Sequence, residues 1–131
     1  MARGLIVAAS DLVIDWLRGR GPGVESIDRW IAEDRLRLSA ITAFELRQGG
    51  DFLAREEAIF VLLRDRVLSL DLGASLRAAE LFGRLSRAGR GIGIKDCLQA
   101  GTCLQYGLPL ATRNERHFER VDGLELARLS S

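Results

Sequence analysis

The sequence predicts an α/β fold: one three-layer domain in which a mostly parallel central sheet carries helices on both faces. Three observations lead there. Residues 5–9 (LIVAA) form a continuous apolar run without period-2 alternation, which suits a strand covered on both sides. A helical pattern begins at once, with Leu12, Val13, Trp16 and Leu17 apolar and Gly19 at the stop. Strand-like and helix-like stretches then alternate along all 131 residues, without repeats or low-complexity linkers, a length that fits a single domain. In an open α/β sheet, ligands bind outside the carboxyl ends of the strands. The predicted turn at Ala9, Ser10 and Asp11 is therefore the first place to look for a site.

Each later element has its own signal. Residues 20–23 are a Gly/Pro turn, after which Val24, Ile27, Trp30 and Ile31 recur at helical spacing through Glu33. Residues 35–41 (RLRLSAI) alternate polar and apolar and read as a short strand near a sheet edge. Thr42 and Glu45 have capping-box spacing, and Gly49 with Gly50 ends that helix. Residues 52–63 form a further helix, with Phe52, Ile59, Phe60 and Leu63 as core candidates. Residues 67–70 are a strand, and Asp71 caps a long Ala-rich helix reaching about Ala88. The connection 87–93 (RAGRGIG) has the most flexible composition. Asp96 opens another helix, closed by Gly107 and Pro109; residues 110–112 are a brief strand, 114–118 a helical turn and 124–126 a last edge strand.

Whole-chain charge decides little. Nineteen basic against eighteen acidic side chains leave a formal net charge of +1, so no long-range field advertises nucleic acid or a membrane. Lys95 is the single lysine; the arginine excess suits phosphate recognition, and GC-biased coding produces the same skew. Cys97 and Cys103 lie six apart in one predicted helix and point in different directions, which argues against a disulfide or a metal pair. The apolar run near the start is shorter than a signal-peptide core, and no segment approaches the ~18 apolar residues of a membrane span. A soluble protein of the reducing cytoplasm, with no membrane partner, is expected.

Chemistry must come from carboxylates at element boundaries: Asp11, Glu45, Asp71 and Asp96. There are no clustered histidines, no cysteine-rich metal pattern, no P-loop and no GxSxG, so nucleophilic and nucleotide-binding classes are poorly supported. Carboxylates brought together repel unless a cation joins them, and hard oxygen ligands select Mg²⁺ or Mn²⁺. Such a site favours phosphodiester chemistry. Taken one at a time, the acids have plainer roles. Glu45 suits a capping box, Asp96 a helix dipole, Asp71 an N-cap and Asp15 a solvated helix face beside Arg18, while the lone His117 suits packing or the surface.

Three stretches in order carry a resemblance: LIVAASDLVIDWLRG, then LSAITAFELRQG, then GIGIKDCLQAGTCLQYGLPLATRNERHFERV. Together they resemble the PIN-domain family, in particular the VapC ribonuclease toxins of toxin-antitoxin pairs, over nearly the whole chain. The resemblance implies a PIN-like domain in which Glu45 matches the second acid, Asp96 the third, and Asn114 the fourth position, where Asp or Asn occurs. Thr112 and Ser10 match hydroxyls beside the acids, which fix the carboxylates. The first acid, an aspartate ending the first strand, falls on Ala9. Moving the register to promote Asp11 disturbs the match from Leu12 to Gly19, so Asp11 is the ordinary third residue of that turn.

The resemblance further implies an Mg²⁺- or Mn²⁺-dependent endoribonuclease whose metal site comprises position 9, Asp96, Glu45 and Asn114. Arg90, Arg113 and Arg116 lie in segments near that edge of the sheet and are the candidate RNA-backbone contacts. Ala9 implies a form that cleaves RNA poorly or not at all, read preferentially as a deliberate aspartate replacement in a toxic protein and otherwise as a natural degenerate homologue. A cognate VapB-like antitoxin, with arginines suited to the acidic groove, and a homodimer are the implied partners. The apolar surfaces of the helices at 24–31 and 52–63 are candidates for contact. A second reading is a catalytically dead partner-binding module. A third, a receiver-like phosphoacceptor at Asp71, leaves Asp96 unexplained.

Overall fold

The computed structural model describes residues 4–129. Among these residues, four strands form one sheet in the order β3-β2-β1-β4, every pairing parallel: β1 (Ile6–Ala8), β2 (Leu36–Ser39), β3 (Val67–Leu68) and β4 (Leu110–Ala111). The helices are α1 (Ser10–Arg18), α2 (Gly23–Ala32), α3 (Ala40–Gln48), α4 (Phe52–Leu63), α5 (Leu72–Arg87), α6 (Ile94–Tyr106) and α7 (Glu115–Phe118). The α/β class expected from sequence is therefore the class observed.

Successive side chains of a strand point to opposite faces, and here both faces are covered. Ile6 and Ala8 join Leu12, Ile27, Trp30, Leu36 and Leu38 in a core beneath α1, α2 and α4. Val7 and Ala9 join Leu81, Leu85, Cys97, Ala100 and Leu110 in a second core beneath α5 and α6. This two-sided burial is why residues 5–9 read as an unbroken apolar run.

Three expectations change and one is refined. The anticipated turn at 9–11 is absent, because α1 begins at Ser10 with Ala9 as its extended N-cap (φ −73°, ψ 163°). β2, expected near a sheet edge, lies one strand in from it, between β1 and the edge strand β3. Its alternation reports unequal cover of its faces, since Leu36 and Leu38 are fully buried and Arg37 is only half-buried. The final strand shrinks to one parallel bridge between Leu126 and Leu110. In α4, Phe52 and Ile59 are buried, Leu63 packs on the same core and Leu62 is 1% exposed, whereas Phe60 is 52% exposed. Non-helical dihedrals at Arg55 (φ −128°, ψ 19°) break the phase of the pattern along that helix.

Helix ends follow local chemistry. Gly19 and Gly107 adopt φ of 71° and 67° at the C-caps of α1 and α6, where any other residue is strained. Asp71 caps α5 as expected, its Oδ1 accepting from the Ala74 N–H at 2.8 Å. Replacing it, Asp71→Ala, is expected to cost about 1 kcal/mol in denaturant unfolding. No helix among the described residues is long and apolar enough to cross a membrane.

Candidate active site

The carboxyl ends of β1, β2 and β4 open onto a cavity of ≈ 190 Å³ bordered by Ala9, Ser10, Asp11, Glu45, Asp96, Thr112 and Asn114, with Lys95, Gln99 and Phe118 completing the wall. Residues more than a hundred positions apart meet there because parallel strands deliver all their following segments to the same sheet edge. Ala9 donates its N–H to the Ala111 carbonyl (2.9 Å), and its own carbonyl accepts from the amides of Leu12 and Val13, which fixes the start of α1. Its side chain contributes only a methyl group.

Glu45 reaches the pocket from α3. It takes no part in a capping box, because Ser39 is the N-cap, its Oγ accepting from the Thr42 N–H at 3.1 Å. The Glu45 carboxylate accepts instead from Ser10 Oγ at 2.6 Å, and Ser10 Oγ also lies 3.1 Å from the Thr42 hydroxyl. Asp96 sits in the first turn of α6 with Oδ2 3.2 Å from His117 Nδ1. Asn114 Nδ2 lies 2.9 Å from that same His117 nitrogen, and the Asn114 N–H donates to Thr112 Oγ1 at 3.0 Å. His117 thus joins a site in which sequence reasoning assigned it no role. The available signal was its spacing of three from Asn114 within one helical turn, which places the two on one side.

Asp11 sits in the first turn of α1 rather than in the turn expected there. Its carboxylate accepts from the Leu12 N–H (2.9 Å) and the Arg113 N–H (2.8 Å), and Thr112 Oγ1 lies 3.2 Å from Oδ2. The carboxylate that Thr112 steadies is therefore that of Asp11. Asp15 departs from expectation: it is 8% exposed rather than solvated, because α2 folds back over α1. Arg113 Nε pairs with it at 3.4 Å and stands 3.7 Å from Asp11, so this guanidinium is held by two acids. Arg90 and Arg116 are exposed and do not border the cavity. Asp71 does not border it either, and its carboxylate is engaged in capping α5.

The donor set is of hard oxygen, right in kind for Mg²⁺ or Mn²⁺, and short in number. Among the described residues no group of three His, Cys, Asp or Glu stands close enough together to hold a metal ion. The methyl of Ala9 borders the cavity at the position where the resemblance places a further carboxylate. Both cysteines are unpaired and buried. Burial, with the neighbouring Asp96 charge as the lesser cause, pushes the Cys97 thiol up, and burial alone pushes Cys103 up to about 12. A thiol that ionises at 9.0 when unfolded and only near 12 when folded favours the folded state below pH 9 and loses that contribution between pH 9 and 12. Native Cys103 is accordingly expected to resist thiol-reactive dyes at pH 8 until denaturant is added.

Comparison with known proteins agrees with this architecture. The PIN domain family matches residues 10–124. The chain is 33% identical to a tRNA(fMet)-specific endonuclease VapC of Salmonella typhimurium over 97 residues, covering 70% of this chain and 74% of that one. It is 30% identical to Ribonuclease VapC10 of Mycobacterium tuberculosis over 125 residues, covering 92% and 91%. Among solved structures, DNA-bound VapBC from Salmonella typhimurium superposes with a TM-score of 0.78 at 25% identity, covering 95% of this chain and 98% of that chain. FitAcB from Neisseria gonorrhoeae gives 0.76 at 27% identity, covering 94% and 97%. The chain therefore belongs to the PIN domain family, with VapC ribonucleases as its relatives.

Proposed function

We propose that this chain is a VapC-like toxin, a divalent-metal-dependent endoribonuclease that a VapB-like antitoxin restrains, in a form impaired by Ala9. The observation that carries the reading is the convergence of positions 9, 45, 96 and 114 on one cavity, although neighbouring members of the set stand 18 to 51 residues apart in sequence. Asp96, Glu45 and Asn114 would hold Mg²⁺ or Mn²⁺ with water completing the shell, since Mg²⁺ is often bound through only one or two carboxylates. The ion supplies charge withdrawal from the phosphoryl group and a more acidic water.

The chain's own residues prepare that chemistry. Ser10 holds the Glu45 carboxylate through a 2.6 Å hydrogen bond, which limits its rotation and leaves its other oxygen for a water or a ligand. His117 Nδ1 stands 3.2 Å from Asp96 Oδ2 and, as N–H, steadies that carboxylate, while Asn114 lies beside the same imidazole nitrogen. Lys95, whose Nζ rests 5.5 Å from the Phe44 ring centroid, borders the same cavity as the one cation among its lining residues and suits a substrate phosphate. Ala9 has the same chemical consequence whether introduced or inherited: one carboxylate fewer to gather the ion.

The binding role survives that loss. Leu53, Phe60 and Val61 of α4 are 82%, 52% and 56% exposed and suit the apolar face of an antitoxin helix, whereas Ile27 and Trp30 of α2 are buried in the core. Phe44, Leu70, Phe82 and Ile94 are exposed on other elements, and this apolar surface favours pairing of two copies. The test of function is Mg²⁺-dependent cleavage of a mixed RNA pool by the Ala9→Asp protein. Cleavage abolished by EDTA and by a further Asp96→Asn change supports the nuclease reading. A fully folded but silent Ala9→Asp protein that still captures its antitoxin leaves the binding module as the better account.

A further inference from the structure

Gln99 lies on α6 three residues beyond Asp96, on the same side of the helix, and is 4% exposed. Its Oε1 accepts from Ser39 Oγ. The Ser39 oxygen itself accepts from the Thr42 N–H in capping α3, and its one proton goes to Gln99 Oε1, a much nearer acceptor than the Thr42 hydroxyl at 3.5 Å, which sets the amide with Nε2 on the other side. Among the described residues, that Nε2 is the buried side-chain polar atom without a hydrogen-bond partner. Leaving a buried amide donor unmade costs about 1–3 kcal/mol, so its presence points to an acceptor that is missing.

The sheet register says where. Ile6 pairs with Leu36 and Val7 with Arg37; carried on by two residues, that register sets Ala9 level with Ser39 on the neighbouring strand, where adjacent strands lie ~4.8 Å apart. Ala9 shares its core with Cys97 and Ala100, so its methyl faces α6, and Ala9 and Gln99 border the same cavity. The amide held by Ser39 is thus the neighbour of a side chain that offers no acceptor.

We infer that Gln99 is a positioning residue for a carboxylate at position 9: its Nε2–H donates to that carboxylate, and Ala9 leaves the donor without a partner. The inference rests on the reading of position 9 as the site of an absent acid. It links that acid, through Gln99 and Ser39, to the cap of α3, the helix that carries Glu45, so two acids of the pocket are set by one hydrogen-bonded chain.

A four-member cycle tests this: the chain itself, Ala9→Asp, Gln99→Leu and the double variant, unfolded in denaturant with EDTA present so that no metal contributes. The fold-loss that Ala9→Asp causes in the folding equilibrium constant is expected to be roughly tenfold smaller with Gln99 present than in the Gln99→Leu background. Gln99→Leu alone is expected to change stability little, because it removes the unpaired donor together with the acceptor of the Ser39 hydroxyl. Equal costs of Ala9→Asp in both backgrounds overturn the inference. If the double variant does not fold, the ¹⁵N-labelled side-chain amide of Gln99 decides: a downfield proton shift on Ala9→Asp supports the bond, and an unmoved signal overturns it. Coupling without any gain of RNA cleavage sinks the nuclease reading and leaves this inference standing; cleavage without coupling does the reverse.

Discussion

Ala9→Asp is expected to raise EDTA-sensitive RNA cleavage by on the order of 10² to 10³, the scale on which an active site responds to one well-placed electrostatic group. The backbone at position 9 is already fixed by hydrogen bonds to β4 and to the first turn of α1, so the new carboxylate begins from an ordered position. It joins Glu45, whose carboxylate is steadied by Ser10, and Asp96, which is flanked by His117. A further acid in this pocket raises repulsion when no cation is present. The variant is therefore expected to unfold more easily than its parent in EDTA and to recover stability as Mg²⁺ is added, since a ligand that binds only the folded state stabilises it. Thermal unfolding across a Mg²⁺ series checks the second half, and gel analysis of RNA fragments the first. An Mg²⁺-independent product, or a gain that survives Asp96→Asn, contradicts the account.

The largest structural effect is expected at Gly101. This glycine lies on α6 where α5 crosses it, and a Cβ there would stand 2.7 Å from the Ala74 carbonyl oxygen, 2.8 Å from Ala78 Cβ and 2.8 Å from the Ala78 nitrogen. Two of the three neighbours are backbone atoms, so no side chain can turn aside, and the helices must separate. Gly→Ala within a helix ordinarily gains about 1 kcal/mol from propensity. Overpacking of a tight core costs about 1–3 kcal/mol and at times more, and the backbone clash puts Gly101→Ala at the upper end of that range. The expected outcome is a net loss of about 2 kcal/mol for Gly101→Ala and failure to fold stably for Gly101→Val, read by the midpoint of urea unfolding. Because Ala100, Cys97 and Gln99 belong to the same helix, a displaced α6 also carries Asp96 away from Glu45.

The sequence was most legible where local chemistry and tertiary packing agree. The two-faced apolar run of β1, the Asp71 cap and the glycine stops of α1 and α6 were all readable, because each signal is confined to a few neighbouring residues. The pocket's membership came from resemblance rather than from spacing, since nothing local says that positions 9, 45, 96 and 114 meet. Most of the misses share one cause, contact with a distant element. Thr42 and Glu45 have capping-box spacing, yet Ser39 takes the cap and Ser10, 35 positions away, takes the carboxylate. Asp15 looks solvent-facing until α2 folds over it and Arg113 arrives from beyond β4. Phe60 fits the apolar period of α4 only if that helix is regular, and Arg55 interrupts it. His117 and Gln99 had meaning only once α6 and α7 were seen to border the same cavity as Ala9 and Asn114.

The central claim is that residues far apart in sequence form one cation-binding pocket at the carboxyl edge of the sheet. Titration of this chain with Mn²⁺, monitored by paramagnetic loss of backbone amide signals, tests it most directly. The account predicts that signals of residues 9–11, 45, 95–97 and 112–114 fade together, before any others, and return on adding EDTA. Early loss centred on other acids, with these four segments untouched, would contradict it.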